Sequence, residues 1–184
     1  MRIPALALLL AALTSTQLAQ ADDAPFVDPG VRPGARPQNM VLADLGLHVI
    51  GIGLQRTLAP RLAVQVDLDS YTPWTNYPDK VELVGLIVRG RAFVYPLAAA
   101  PAGLWLSPFA QYGLGWAKVG GTRDRGSVWA AGASVGYTLL LGRRVALGIG
   151  LGGQYHVAHV LGSSGAPSFA GFYPTADANI GYAF

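Results

Sequence analysis

The chain ends in the stretch FYPTADANIGYAF, residues 172–184, and this stretch decides the fold. Apolar side chains share one parity, and polar residues and glycine share the other. The first set is Phe172, Pro174, Ala176, Ala178, Ile180, Tyr182 and Phe184, and the second includes Thr175, Asp177, Asn179 and Gly181. Successive side chains of a strand point to opposite faces, so alternation with period 2 predicts a β-strand between two different environments.

The same alternation recurs in five segments upstream. They cover residues 61–71, 81–95, 104–118, 128–141 and 144–157. In each segment one face is rich in Val, Leu, Ile, Trp or Tyr, and the other is rich in Gly, Ser, Gln or charged residues. We therefore expect six strands after residue 60, each with one apolar face and one polar or small-residue face.

The composition excludes several classes of protein. Of the 184 residues, 52% are hydrophobic and 12% are charged, with 24 Gly and no Cys. Such a chain is neither disordered nor a charged coiled coil, and without Cys it has no disulfide framework and no thiolate zinc site. The net charge of +3 comes from scattered Arg and Lys, so we expect no binding of nucleic acid.

The first 21 residues have the features of a secretory signal peptide. Arg2 gives a positive start, residues 3–13 are apolar, and Ala19-Gln20-Ala21 is a small-x-small cleavage site. The apolar run is much shorter than the roughly 20 residues that a transmembrane helix needs. We expect three regions: a signal peptide at 1–21, a Pro-rich arm at 22–38 and a folded domain at 39–184.

The exported part of the chain is apolar, yet no later segment reaches 18 uninterrupted apolar residues. A chain that crosses a bilayer has to pair every backbone N–H and C=O within itself, so only helices and closed β-barrels can span. With helices excluded, the sequence predicts an all-β fold, an antiparallel up-and-down transmembrane β-barrel.

An even number of strands, with both ends on the periplasmic side, requires two more strands before residue 61. We assign a short strand to residues 39–44, an outer turn to 45–46 and a descending strand to 47–56. The alternative is one long strand at 41–54, with the first strand drawn from the Pro-rich arm, which proline disfavours. The first assignment gives an eight-stranded barrel.

Short connections alternate with longer ones along the chain. Turns are expected near 58–60, 96–103 and 142–144, and longer loops at 72–80, 120–127 and 159–168. Short periplasmic turns and longer outer loops are typical of outer-membrane barrels. Pro108 falls inside a predicted strand, so we expect that strand to start late or to contain a bulge.

Aromatic residues concentrate near both ends of the predicted strands. Amphipathic rings favour the membrane–water interface, so this distribution indicates two aromatic girdles. The outer set is Trp74, Tyr77, Trp116, Trp129, Tyr155 and Tyr173, and the periplasmic set is Tyr95, Trp105, Tyr137, Tyr182 and Phe184.

The chain resembles the small eight-stranded outer-membrane barrels, the group that includes the OmpA transmembrane domain, OmpX and OmpW. The resemblance rests on the signal peptide, the alternating strands and the terminal aromatic strand ANIGYAF at 178–184, and it covers residues 39–184. It implies residence in the cell outer membrane, among outer-membrane lipid and lipopolysaccharide. In that group the barrel-assembly machinery recognises the last strand, which implies this machinery as a partner and Tyr182 and Phe184 as its assembly signal.

Charged residues also occur on the lumen-facing parity. Counted from the periplasmic turns, Asp67, Arg89 and Asp177 lie at similar depth, and Gln111 and Ser134 lie close to it. The lumen of an eight-stranded barrel is just wide enough to be filled by side chains, and buried charges need partners. We expect a polar network centred on Arg89 that plugs the lumen, with Asp67 and Asp177 as its partners.

Three patterns that accompany chemistry in other proteins lack the setting that the chemistry needs. Residues 132–136 match G-x-S-x-G and residues 148–153 match G-x-G-x-x-G, but both motifs require a helix, and here the period-2 pattern continues. His156 and His159 are three residues apart on a predicted strand, which points them to opposite faces. We therefore expect no metal and no cofactor.

The function that these features predict is non-enzymatic: a monomer with a structural or surface role in the Gram-negative envelope. One alternative is a lipid A-modifying enzyme that uses His156 with Ser163 or Ser164 at the outer rim, although no acid that would orient the histidine can be named. Another is a narrow OmpW-like conduit for small hydrophobic molecules, with a lateral exit near Pro108 or the first hairpin.

Overall fold

A computed structural model describes residues 37–47, 49–71, 82–119, 122–142, 144–161 and 169–184. These residues form eight strands: β1 (Asn39–Gly46), β2 (Val49–Ala59), β3 (Leu62–Tyr71), β4 (Glu82–Val94), β5 (Gly103–Val119), β6 (Thr122–Leu141), β7 (Val145–Leu161) and β8 (Phe169–Ala183). No helix in this part of the chain is long and apolar enough to cross a membrane. The expected strand count is confirmed.

The strands form one closed barrel. Each strand pairs antiparallel with the next one along the chain, and β8 returns to pair with β1. At the end of this seam the backbones of Asn39 and Phe184 exchange two hydrogen bonds, of 3.1 and 2.8 Å. The fold is therefore an eight-stranded, antiparallel, up-and-down transmembrane β-barrel, as the alternating pattern predicts.

The barrel wall has its apolar side outward. Ile52, Ile149 and Phe172 are 66%, 70% and 78% exposed, and they are part of a continuous cover of large apolar side chains. The lumen instead contains buried polar and charged residues. Soluble monomers rarely expose apolar patches larger than a few hundred Å², so this outer surface matches hydrocarbon better than water.

The first hairpin confirms the assignment of two strands and corrects the position of its turn. β1 continues through Gly46 and β2 begins at Val49, so the turn expected at 45–46 is wrong. The alternative of one long strand at 41–54 is wrong as well, because Val41 pairs with Leu54 across the hairpin.

The hairpin of β5 and β6 is longer than the sequence indicates. The expected loop at 120–127 is wrong for residues 122–127, which continue β6 and pair with β5 as far as Thr122 opposite Val119. β7 likewise extends to Leu161, past the start of its expected loop. A strand that leaves the bilayer has water on both sides, so it lacks the alternation that marks strands inside the membrane.

Pro108 lies within β5 and causes neither a late start nor a bulge. The register with β4 is the same on both sides of it. Arg91 lies opposite Phe109 on one side, and Val94 lies opposite Leu106 on the other. Proline has no N–H to donate, and β4 and β5 form no pairs between these two positions, although β5 stays paired with β6 there.

Three residues expected in the aromatic girdles lie inside the barrel instead. Tyr95 and Trp105 are buried, and Tyr173 contacts the ring of the buried His156. Their parity places them on the lumen side, and parity decides the face whatever the depth. Trp74 and Tyr77 lie outside the described residues, and the remaining girdle residues point outward: Trp116, Trp129, Tyr137, Tyr155, Tyr182 and Phe184.

Candidate functional site

β4 supplies two positive charges to the middle of the lumen. Arg89 and Arg91 occupy consecutive lumen-facing positions, and each is 3% exposed. Because they are two residues apart on a strand, their guanidinium groups lie at neighbouring depths. Each guanidinium has several donors in a planar fork, so each can bind partners on several strands.

Arg89 gathers carboxylates from three other strands. It forms an ion pair with Asp44 of β1, and its Nε lies 3.4 Å from Asp67 Oδ2 of β3. Its Nη2 lies 3.5 Å from Asp69 Oδ2, also on β3. Its Nη1 lies 3.5 Å from Asp177 Oδ1 of β8.

Arg91 reaches across the whole barrel. Its Nη2 donates to Asp177 Oδ2 of β8 at 2.9 Å and to Ser134 Oγ of β6 at 2.8 Å. Its Nε donates to Ser107 Oγ of β5 at 3.2 Å. In a closed ring of eight strands β4 and β8 are diametrically opposite, so the contact between Arg91 and Asp177 spans the lumen.

Glycines of β2 leave room for the carboxylates of β3. Gly51 lies between Asp44 and Asp69 in the register, and Gly53 lies opposite Asp67. A Cβ at Gly51 would collide with Asp69 Oδ1, and a Cβ at Gly53 would collide with Asp67 Oδ1. The two acidic side chains therefore fill the space that β2 leaves free. We call Asp44, Asp67, Asp69, Arg89, Arg91 and Asp177 together the charged layer.

An aromatic cluster fills the lumen on the side of the chain termini and short turns. It consists of Ala63, Phe93, Tyr95, Ala100 and Trp105, all buried. The rings of Phe93 and Trp105 pack edge to face with centroids 5.1 Å apart. The polar edges are bonded, because Trp105 Nε1 donates to Thr138 Oγ1 at 3.0 Å and Gln55 Nε2 donates to Tyr95 Oη at 3.3 Å.

The charged layer also contacts this cluster. The Arg91 guanidinium lies 4.9 Å from the centroid of the Phe93 ring and 5.7 Å from those of Trp105 and Phe109. A cation above aromatic faces is attracted by their quadrupoles. Arg91 therefore connects the charged layer with the aromatic cluster.

The structure brings together Asp67, Arg89 and Asp177, the three residues expected to pair. Ser134 enters the layer through Arg91, and Gln111 is buried opposite Arg89 in the register. Sequence reasoning missed three members of the layer, which are Asp44, Asp69 and Arg91. Two of them could have been found from the strand alternation, because Asp69 lies on the same face as Asp67 and Arg91 lies on the same face as Arg89.

The remaining sequence motifs lie in unbroken strand. Residues 132–136 are paired within β6 and residues 148–153 within β7, so neither motif has the helix that its chemistry requires. His156 is buried and His159 is exposed, on opposite faces as expected. Ser163 and Ser164 lie outside the described residues.

The C-terminal aromatic residues lie on the outer wall next to the seam. Tyr182 is paired with Val41 of β1, and its hydroxyl accepts a hydrogen bond of 3.0 Å from Arg144. Phe184 is 60% exposed. Both side chains are accessible from outside, and their role as an assembly signal stays a prediction.

Comparison with solved structures identifies the same class of fold. The chain is 16% identical to the Neisserial surface protein A (NspA), covering 80% of this chain and 97% of that one, with a TM-score of 0.51. The N-terminal β-barrel domain of Pseudomonas aeruginosa OprF is 12% identical over 79% of this chain and 95% of that one, with a TM-score of 0.49. Acinetobacter baumannii CarO is 10% identical over 80% of this chain and 98% of that one, with a TM-score of 0.46.

The architecture is thus that of the small transmembrane β-barrels. Within that class the chain belongs to the family described as "Protein of unknown function (DUF3575)", whose model matches residues 35–160. The matched segment includes the charged strands β3 and β4 and ends before β8. Comparison with curated proteins finds no match.

Proposed function

We propose that this protein is a non-enzymatic outer-membrane β-barrel whose lumen is closed by its own side chains, with a structural or surface role in the Gram-negative envelope. The observation that best supports the proposal is the contact between Arg91 and Asp177, which crosses the lumen at 2.9 Å. The aromatic cluster adds a second obstruction next to it. A barrel filled in this way has little room for a substrate or a steady water path.

The apolar outer surface of the barrel supports a location in the outer membrane. Its apolar cover suits contact with outer-membrane lipid and lipopolysaccharide, reached after export directed by residues 1–21. The barrel-assembly machinery is the proposed partner for insertion, through Tyr182 and Phe184. The barrel is closed, with no free strand edge through which a second copy could pair, which supports a monomer.

Two measurements test this proposal. Planar-bilayer recordings of the purified protein should show no steady conductance, because the charged layer blocks the lumen. Mass spectra of lipid A from cells that overproduce the protein should match those from cells with an empty vector. A steady channel would contradict the closed lumen, and a changed lipid A mass would contradict the non-enzymatic role.

A conduit for small hydrophobic molecules is a second candidate, favoured by a pocket beyond the charged layer. Lumen-facing Gly113, Gly115 and Val128 line the pocket together with outward-facing Trp116. Glycine leaves the wall no thicker than its backbone here, and the residues that line the pocket come from both faces of the wall. An exit at the first hairpin has no support, since β1 is paired on both sides.

The conduit is tested by uptake of a hydrophobic fluorophore into vesicles that contain the protein. Uptake faster than in protein-free vesicles, and slowed by Val128→Phe, which fills the pocket, would support it. Equal uptake with and without the protein would exclude it.

A further inference from the structure

The charged layer holds more negative than positive groups. Its buried members in the described part of the lumen are four aspartates and two arginines. With all of them ionised, two negative charges remain in excess. Charges removed from water need compensation, and the arginines alone do not supply it.

The excess concentrates on one side of the lumen, over β2. Asp44 of β1 and Asp69 of β3 face each other across Gly51, and Asp67 lies beside them over Gly53. One carboxylate oxygen from each aspartate lies within 4.8 Å of the others. The single cation among them is Arg89, which also contacts Asp177 on β8.

Some oxygens in and beside this group have no donor. Asp69 is 1% exposed, and within the described residues neither of its oxygens accepts a hydrogen bond. Its Oδ2 is 3.5 Å from Arg89, while its Oδ1 points over Gly51. Asn179, 9% exposed and opposite Asp44 in the register, has an amide oxygen that is also without a hydrogen-bond partner there.

We propose that Asp44, Asp67 and Asp69 bind one divalent cation of the calcium type inside the lumen. Calcium takes oxygen ligands at about 2.3–2.6 Å, so oxygens up to about 5 Å apart can share one ion, whereas Mg²⁺ at about 2.0–2.1 Å needs them closer. The three carboxylate oxygens all lie within 4.8 Å of one another, which is inside the span that calcium can bridge. One such ion neutralises both excess charges, and Asn179 is placed to contribute a further oxygen.

The arginines remain compatible with this ion. The ion shares the three carboxylates with Arg89, which contacts Asp67 through Nε and both Asp44 and Asp69 through Nη2. Asp67 Oδ1 also accepts a hydrogen bond of 2.7 Å from Gln65 Nε2, and a carboxylate oxygen that accepts one hydrogen bond has a second lone pair for the metal. Arg91 is bound to Asp177 and Ser134, away from the three aspartates. The proposal is independent of the lumen's role in transport, because a filled lumen and a narrow conduit both accommodate it.

The test uses the complete mature protein, folded in a zwitterionic detergent without lipopolysaccharide, which itself binds calcium. Tb³⁺ serves as the probe, since Tyr71 is the next lumen-facing residue after Asp69 on β3 and can sensitise its emission. We expect saturable Tb³⁺ emission that calcium competes away, and a melting temperature that rises by several degrees in excess calcium. Absence of both effects in the wild type would overturn the proposal.

Variants locate the ion. Asp69→Asn and Asp44→Asn should each weaken binding by about tenfold or more and make the melting temperature indifferent to calcium. The matched control is Asp124→Asn, which removes a partly exposed carboxylate of β6 outside the charged layer and should bind within about threefold of the wild type. Wild-type affinity in Asp69→Asn, or equal losses in Asp69→Asn and Asp124→Asn, would contradict the assignment.

Discussion

The lumen is filled in two ways along its length, and they differ in what makes them stable. The charged layer depends on complete pairing, since each of its groups would be a buried charge without its partners. The aromatic cluster, with Phe93, Tyr95 and Trp105 at its centre, depends on packed area and on room left by small residues. Two mutations of similar size should therefore act through different physical causes in the two regions.

The largest effect is expected for Arg89→Ala. This change leaves Asp44, Asp67 and Asp69 without their shared guanidinium, and removing one partner of a buried ion pair costs about 3–5 kcal/mol. We expect a loss near 5 kcal/mol in the free energy of unfolding, measured by urea titration in detergent. Arg56→Ala, at an exposed position on β2, is the control and should change little. An unchanged midpoint for Arg89→Ala would show that the layer adds no stability.

A loss of about 4 kcal/mol is expected for Trp105→Ala. Deleting a buried Trp creates a cavity and costs about 3–5 kcal/mol, and here Thr138 also loses its donor. Unlike Arg89→Ala, this variant should keep wild-type calcium dependence, because the charged layer is intact. The same urea titration, repeated with calcium and with a chelator, separates the two regions. A changed calcium response would mean that the cluster and the layer act as one unit.

A smaller loss, about 2 kcal/mol, is expected for Gly136→Ala. A Cβ at this position would collide with the backbone oxygen of Ile149 and with the Trp105 ring, and overpacking of this kind costs about 1–3 kcal/mol. Gly90→Ala is the matched control, since a Cβ there meets nothing within 4 Å. Thermal melting of the two variants measures the difference. Equal melting temperatures would show that the Trp105 ring and the backbone at Ile149 can both move aside.

The smallest effect is expected when a buried pair is replaced as a whole. Arg91→Met combined with Asp177→Leu removes both charges, and such replacements are often neutral or stabilising. We expect the double variant to stay within about 1 kcal/mol of the wild type and the single Asp177→Leu to be clearly less stable. If the double variant is the least stable of the three, the bonds from Arg91 to Ser107 and Ser134 matter more than the ion pair.

Much of this fold could be predicted because each strand of a membrane barrel alternates between apolar residues on the outer wall and polar or small residues in the lumen. Alternation placed the wall and lumen residues correctly from residue 61 onward, and counting from the turns brought Asp67, Arg89 and Asp177 together, since strands rise by a constant distance per residue. The prediction of strand ends was wrong where the alternation ends. Residues 122–127 continue a strand without two different environments, and the turn after β1 was displaced because that strand is short.

The rest of the site depends on information that the sequence pattern lacks. Asp44 was missed because the sequence allowed two assignments of its strand, and its approach to Asp69 depends on the register across Gly51. Trp105 was assigned to a girdle from its depth, although its parity indicated the lumen. The histidine spacing gave no metal site, whereas the acidic group forms only when Asp44 of β1 becomes a neighbour of Asp67 and Asp69 of β3.

Both strands of the seam bring an acidic residue to the same arginine. Asp44 lies on β1 and Asp177 on β8, and Arg89 contacts both from the middle of the chain. A sheet that is still open separates these two acids, and only the finished cylinder places them around one guanidinium. Pairing of β1 with β8 therefore also neutralises charges in the lumen. If the wrong strand edges paired during insertion, buried charges in the lumen would remain unpaired.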